Sequence, residues 1–454
     1  MRKIYYFAVA AVFMTMSFSG CSSDEVTVKE PEPEQTTTLP PDDQKENQDN
    51  GQSNNETQND NSTEITVKTR NMGLTDAQKQ AVGKNNDFAF NFYRQLIQQP
   101  DVKGKSIITS PLSVTYAIGM LNDGAKGKTS EEMTSMLGFE NGTANDINEL
   151  CRQLINEAPK IDEQVVLKLA DCIVANLDIE LTDQYQKDMT DFYQAEVFCK
   201  DFSQKSTITF INDWCNQHTE GNIKEIIHEL NPEQKIVLMN AIYFKASWSG
   251  KFEKEETKKE KFTREDGVSS AVQMMHRRDA TEYTSNDVYA TIGLPYGHGS
   301  NWRMYVLLPH EGMTVNDVLG GLNNSSWNDN LSKMEGMGVD VKLPKFKTES
   351  EMELNGVLKA LGASTMFGLT ADFSPMTKDA TQLFIDLIKQ KATIEVSEEG
   401  TEASAVTIDM ACSSNIDGSG GTPIPLFHAN RPFIYLIQES TSGAIFFMGT
   451  YQGK

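Results

Sequence analysis

Cysteine is scarce in this chain, and its spacing suits no common chemistry. The 454 residues hold six, Cys21, Cys151, Cys172, Cys199, Cys215 and Cys412, with no C-x-x-C pair. Beyond Cys21 their number is odd and their spacings wide. That excludes a disulfide framework and the usual zinc sites, and predicts mostly buried thiols packed as small apolar groups. Histidine is equally thin. His218, His228, His276, His298, His310 and His428 contain no H-E-x-x-H and do not cluster along the chain, so no metal or cofactor is expected. Positive charge is short: 41 Lys and Arg face 64 Asp and Glu, a net charge of −23. Such a balance argues against nucleic acid and anionic membrane surfaces as partners. The apolar run from Ile4 to Met16 is too short for a comfortable membrane span.

What is present begins with a targeting segment. Arg2-Lys3 precede that apolar run, and Phe18-Ser19-Gly20-Cys21 ends in small residues before a cysteine. The pattern resembles a bacterial lipoprotein signal over 1–20, with Cys21 as the lipidated residue. The alternative is an ordinary secretory signal with a chance cysteine. Ser22-Ser23-Asp24-Glu25 resembles the acidic surface-export tag of Bacteroidetes lipoproteins. Residues 22–66 hold 12 acids, two lysines and only four aliphatics, Val26, Val28, Leu39 and Ile65. Such a segment buries too little apolar surface to offset its ordering entropy, so 21–74 reads as a disordered acidic tether. About 50 flexible residues would reach roughly 40 Å from an anchor. The implied location is lipid-anchored, at the outer membrane, the cell surface or in the periplasm.

Residues 75–454 read as one globular domain without linkers or repeats. Thr75 offers an N-cap to a helix carrying Phe88, Phe92, Leu96 and Ile97 on one face. Residues 113–121 form an almost wholly apolar, buried helix after Pro111. Leu167–Val174 and Ile236–Phe244 read as central strands, and Trp302–Leu308 as another. Phe433–Ile437 and Ala444–Met448 flank a hairpin turn. Helices cluster early and strands late, an α+β class.

The most informative stretch is 396–406, Val-Ser-Glu-Glu-Gly-Thr-Glu-Ala-Ser-Ala-Val. A strand-like run ends at Val396, two acids and Gly400 follow, and then come small residues. A tethered segment this small can be a loop in one state and a buried strand in another. It resembles the hinge of the reactive-centre loop of serpins, the suicide inhibitors of proteases. Other landmarks stand in family order: Asn86-Asp87-Phe88-Ala89, Ser110-Pro111-Leu112-Ser113, Asn212-Asp213-Trp214 with Thr219-Glu220-Gly221-Asn222-Ile223, Leu238 to Lys245, Leu343-Pro344-Lys345-Phe346, Asn430-Arg431-Pro432-Phe433 and Phe447-Met448-Gly449. The resemblance covers about 380 residues. It implies three β-sheets with a large central one (sheet A), eight or nine helices and an exposed reactive-centre loop.

It also implies roles. The hinge would comprise Glu398, Gly400, Thr401, Glu402, Ala403, Ser404 and Ala405. Thr401, Ala403, Ala405 and Thr407 would point inward on insertion. Asp409 shares that phase, where it would be costly unless solvated at the sheet end. Ser110, Ser113 and Asn240 would form a hydrogen-bonded shutter under the sheet. Gln390 stands in it where the family usually has histidine, which predicts less pH dependence in sheet opening. Trp248, Lys345 and Glu398 would form the breach at the upper end. Counting from Gly400 sets the reactive bond between Ser414 and Asn415, with Met410, Ala411, Cys412 and Ile416 as other candidates. No Lys or Arg lies between Gly400 and His428, which excludes trypsin-like targets and suits elastase-like, subtilisin-like or papain-like endopeptidases.

Asp417-Gly418-Ser419-Gly420-Gly421 only superficially resembles a serine-protease nucleophile motif, with Asp and Gly transposed and no matching histidine; catalysis is not expected. Asn148 to Asp162 carries Arg152 and Lys160 against Glu149, Glu157 and Asp162, so no heparin binding is expected. The reading is a monomeric covalent trap for an endopeptidase, and its rival is a non-inhibitory binding module or chaperone on the same fold.

Overall fold

Thr75 caps the first helix as its sequence predicts, its side chain accepting from Gln78 N–H while Gln78 reaches back to the Thr75 N–H. The computed structural model describes residues 70–139, 142–298, 301–378, 383–401 and 423–453. The signal segment, Cys21 and the tether to residue 69 lie outside the described residues. So do Glu402, Ala403, Ser404, Ala405, Thr407, Asp409, Cys412, Ser414 and Asn415.

Among the described residues there are nine α-helices: α1 (Asp76–Leu96), α2 (Pro111–Asp123), α3 (Lys128–Met136), α4 (Ala144–Glu157), α5 (Asp183–Tyr193), α6 (Lys205–His218), α7 (Val315–Gly321), α8 (Asn324–Ser332) and α9 (Asn355–Ala360). The last three correct the expectation of early helices and late strands. They are too short for a helical period to stand out. The 113–121 helix is observed as α2, capped by Ser110 with Pro111 at its first position and buried along nearly its whole length.

Six strands form one sheet in the order β10 (Phe346–Glu353), β11 (Leu387–Val396), β12 (Gly400–Thr401), β4 (Ile236–Ser247), β2 (Val165–Asn176) and β3 (Glu196–Lys200). A second runs β1 (Ile107–Thr109), β15 (Ile445–Tyr451), β14 (Phe433–Glu439), β8 (Trp302–Pro309), β7 (Tyr289–Tyr296), β6 (Ser269–Ser285), β9 (Glu335–Pro344), β13 (Leu426–His428), with β5 (Lys258–Thr263) added on β6. It divides along the 17-residue β6, whose residues 269–274 pair with β5, 274–283 with β9 and 282–285 with β7. The central sheet and these two parts give the expected three-sheet architecture. The predicted hairpin is β14–β15.

The six-stranded sheet is covered on both faces, which is why β2 and β4 read as continuous apolar runs. Val174, Val237, Met239 and Ala241 pack on one side with Ile211, Trp214 and Cys215 of α6. Leu238 and Ile242, one residue out of phase, face the main core with α2. Each fully buried aliphatic of this kind contributes about 1.5–3 kcal/mol. Cys151, Cys172 and Cys215 are buried thiols as expected, while Cys199 is exposed.

Candidate functional site

At its upper end β11 reverses direction within three residues. Ser397 and Gly400 exchange backbone hydrogen bonds of 2.8 and 3.3 Å. The chain then re-enters the sheet as β12, wedged between β11 and β4, with Thr401 opposite both Val396 and Ala246. Below it β11 and β4 pair directly, in parallel, from Leu387↔Val237 to Thr393↔Tyr243. The first two residues after the turn are therefore already strand, seated at the top of a closed seam.

Only glycine fits the entry. Gly400 has φ of +148°, and an added Cβ would clash with the Ala246 carbonyl oxygen and lie 2.7 Å from Ser247 Cα and 2.9 Å from Trp248 N. Gly400→Ala is expected to expel β12 from the sheet. The Trp248 fluorescence maximum should shift, and unchanged emission with a protected Trp248 amide would refute this account.

The expected upper cluster assembles. Glu398 is 5% exposed and accepts from Lys345 Nζ at 2.9 Å and Thr257 Oγ1 at 2.9 Å. Burial alone would raise its carboxyl, but the hydrogen bonds from Lys345 and Thr257, with the Lys345 charge, hold it below the usual value. Trp248 donates Nε1–H to Ser397 O at 2.9 Å and its backbone N–H to Glu399 O at 3.0 Å, while Phe252 N–H caps Glu398 O at 3.0 Å. The turn's three outward carbonyls are thus all satisfied. Trp248 stacks on Tyr296 at 4.4 Å, and the Tyr296 hydroxyl pairs with Thr401 Oγ1 at 2.6 Å, where Thr401 is fully buried. Tyr296, Thr257 and Phe252 are partners that sequence reasoning missed. They come from remote segments with no local signal. Glu399, also unassigned before, is held by Lys251 and Lys254 at 2.8 and 3.0 Å.

Lower down, the expected polar cluster also assembles and closes. Gln390 is fully buried. Its Oε1 accepts from Ser110 N–H at 3.0 Å and from the Thr109 hydroxyl. Its Nε2 donates to Ser110 O at 3.0 Å and Asn240 Oδ1 at 2.8 Å. Asn240 Nδ2 donates to Ser113 Oγ and to Asp171 Oδ1. Thr109 and Asp171 are the members that sequence reading did not find. Asp171 matters because it is an ionisable group within a cluster expected to lack one.

Histidines that are scattered along the chain do meet in space. His276 Nε2 and His428 Nε2 lie 3.1 and 2.9 Å from the same Asp340 Oδ1, and Arg278 takes Oδ2 at 2.7 Å. This knot ties β13 to β9 and β6. Burial would raise the Asp340 carboxyl, but hydrogen bonds from Arg278 and His428 and the nearby imidazoles outweigh it and hold it at about 2. A depressed carboxyl contributes stability above its ordinary value near 4, which is lost as pH falls through about 2. Asp340→Asn is expected to flatten acid unfolding between pH 4 and 2, read by circular dichroism; an unchanged acid midpoint would contradict it.

Against this geometry the comparisons are consistent. The sequence model of the family described as "Serpin (serine protease inhibitor)" matches residues 83–452. Serpin B6 of Pongo abelii is 31% identical over 380 residues, covering 81% of this chain and 97% of that protein. The leukocyte elastase inhibitor of Sus scrofa is 32% identical over 389 residues, covering 82% and 98%. Among solved structures, the thermophilic serpin tengpin in its native state superposes with a TM-score of 0.75 at 27% identity, covering 83% of this chain and 94% of that one.

Proposed function

The chain belongs to the serpin family, described as serine protease inhibitors, and we propose that it is a suicide inhibitor of elastase-like or subtilisin-like endopeptidases, with papain-like ones as further targets. One observation carries the reading. The small-residue segment after Gly400 is already started as a strand, with Gly400–Thr401 between β11 and β4. A protease attacking at or near Ser414–Asn415 would form an acyl-enzyme at the far end of that segment. If the rest followed Thr401 in the same register, Thr407 would arrive opposite Asn240 and Gln390. Its hydroxyl can donate and accept, so it could replace the hydrogen bond those two side chains lose as the seam parts. Trp248, Lys345 and Glu398 act as the latch at the breach, and Ser110, Ser113, Asn240 and Gln390 as the shutter. Carrying the protease to the far end of the sheet distorts its active site, and deacylation fails because it needs tightly held geometry. The intact state is held kinetically, with strain released on insertion, as in serpin loop insertion generally.

We also infer a lipoprotein of the Bacteroidetes type, anchored through Cys21 and held off the membrane by the acidic tether. Loss of fatty-acid labelling in Cys21→Ala is the expected result.

The functional test mixes the chain with pancreatic elastase, neutrophil elastase, subtilisin, papain and trypsin. A detergent-stable complex and a released peptide beginning at Asn415 are expected with one of the first four, and no complex with trypsin. Cleavage without any complex, and without a gain in melting temperature of the cleaved chain, would sink the inhibitory reading.

A further inference from the structure

The row of polar side chains across the central sheet ends on an acid. Asp171 lies directly opposite Asn240 in the β2–β4 register, and Asn240 opposite Gln390 in the β4–β11 register. The hydrogen bonds all run one way. Gln390 Nε2 donates to Asn240 Oδ1, and Asn240 Nδ2 donates to Asp171 Oδ1, so the carboxyl is the terminal acceptor.

Among the described residues its surroundings hold no countercharge. Asp171 is 6% exposed, and Asn240 is the one donor to it among the described residues. The titratable groups that feel it are Tyr116 from α2, Cys151 from α4 and its own neighbour Cys172. Tyr193 of α5 adjoins Cys151 and donates its hydroxyl to Asn148 Oδ1 at 2.6 Å, and Cys172 looks toward Cys215 and Glu196 on the opposite face. All are neutral or acidic. The Tyr116 hydroxyl, itself buried, has no hydrogen-bond partner among the described residues. A charge enclosed with one donor and no cation is strongly disfavoured, and water reaching the row relieves it. Parting β4 from β11 breaks the Gln390–Asn240 bond at the residue next to Asp171, which admits that water.

We propose that Asp171 is a positioning residue that acts through Asn240 to make opening of the central sheet pH-dependent, the sheet opening more readily once this buried carboxyl is ionised. This rests on the inhibitory reading in one respect, that β4–β11 is the seam that opens. Burial pushes the Asp171 carboxyl up to about 7, with the Asn240 hydrogen bond opposing the rise. A group raised in the closed state and nearer its ordinary value when hydrated favours the closed state fully below about pH 4. That advantage falls as pH rises to about 7 and is level above. On this proposal pH dependence enters the row at Asp171 on β2, two strands from Gln390 on β11, although Gln390 itself does not titrate.

The test compares the full-length chain with Asp171→Asn by hydrogen exchange at the amides of β4 and β11, from pH 4.5 to 8.5. Taking the ratio of the two proteins at each pH cancels the intrinsic pH dependence of exchange. The wild-type to variant ratio should climb at least roughly tenfold between pH 5 and 7.5 and then level off, because a proton held in the closed state and released in the open one changes their balance tenfold for each pH step of one. A ratio constant within about twofold would overturn the proposal. Should the variant not fold, urea unfolding of the wild type serves: its rate must rise over the same window, and a rate flat from pH 5 to 7.5 rejects the role. A pH-dependent ratio in a chain that never traps a protease would leave Asp171 assigned and remove the inhibitory reading. A flat ratio in a chain that traps one would do the reverse.

Discussion

Thr401→Arg is expected to convert the chain from a trap into a substrate: the loop is cut, and no covalent complex survives denaturing electrophoresis. Thr401 is fully buried between β11 and β4, its hydroxyl held by Tyr296 beneath the Trp248 ring. A guanidinium there would be enclosed among an aromatic stack and apolar strands without a partner. An uncompensated buried charge costs about 3–5 kcal/mol. On the proposed mechanism insertion competes with hydrolysis of the acyl-enzyme, so a barrier raised that far would slow insertion by roughly 10²–10³-fold or more, and hydrolysis would win. Thr401→Ser keeps the hydroxyl and should keep trapping. A stable complex formed by Thr401→Arg at the wild-type rate would mean that this strand position is not on the inhibitory path.

Asn240→Ala should produce the largest loss of stability of any single change in the buried Ser110, Ser113, Asn240 and Gln390 cluster. Asn240 is 1% exposed and links Gln390, Ser113 and Asp171, each on a different element. Removing it takes from the Gln390 amide one of its two acceptors, strips Asp171 of its donor and leaves space beneath β4. With about 1–3 kcal/mol for each buried polar group left unmade, the expected destabilisation is about 3–5 kcal/mol. The check is the urea midpoint of the intact chain at constant slope. Because β11 and β4 are then less well joined, the intact chain should also drift on warming toward inactive, loop-inserted or polymerised forms. A midpoint within about 0.5 kcal/mol of wild type would show that the cluster does not hold the seam.

Much of this molecule was legible in one dimension because its signals are periodic or local. β2 and β4 are buried on both faces, so their sequences are unbroken apolar runs, and α2 announces itself by a Ser-Pro start and an apolar body. The hinge was readable because a strand, a glycine and a run of small residues follow one another directly. The short helices α7 to α9 carry no period long enough to read, and β6 is partly exposed and lacks a clean alternation. Of the site, Trp248, Lys345, Glu398, Ser110, Ser113, Asn240 and Gln390 were named by family pattern, and the structure brings each group together.

The amino-acid sequence by itself determined the fold class, the family, the glycine at the hinge and the absence of any basic residue for a trypsin-like protease to read. Those are matters of residue type and order along one strand of chain. Only the tertiary structure decided that Gly400 and Thr401 are already seated between β11 and β4, that Tyr296 holds Thr401 and Thr257 holds Glu398, that His276 and His428 share Asp340, and that Asp171 ends the row begun by Gln390 and Asn240. Each of these is a pairing between remote segments of the chain, or a protonation equilibrium set by burial. A carboxyl has no unusual affinity for protons until folding removes its water and fixes who stands beside it.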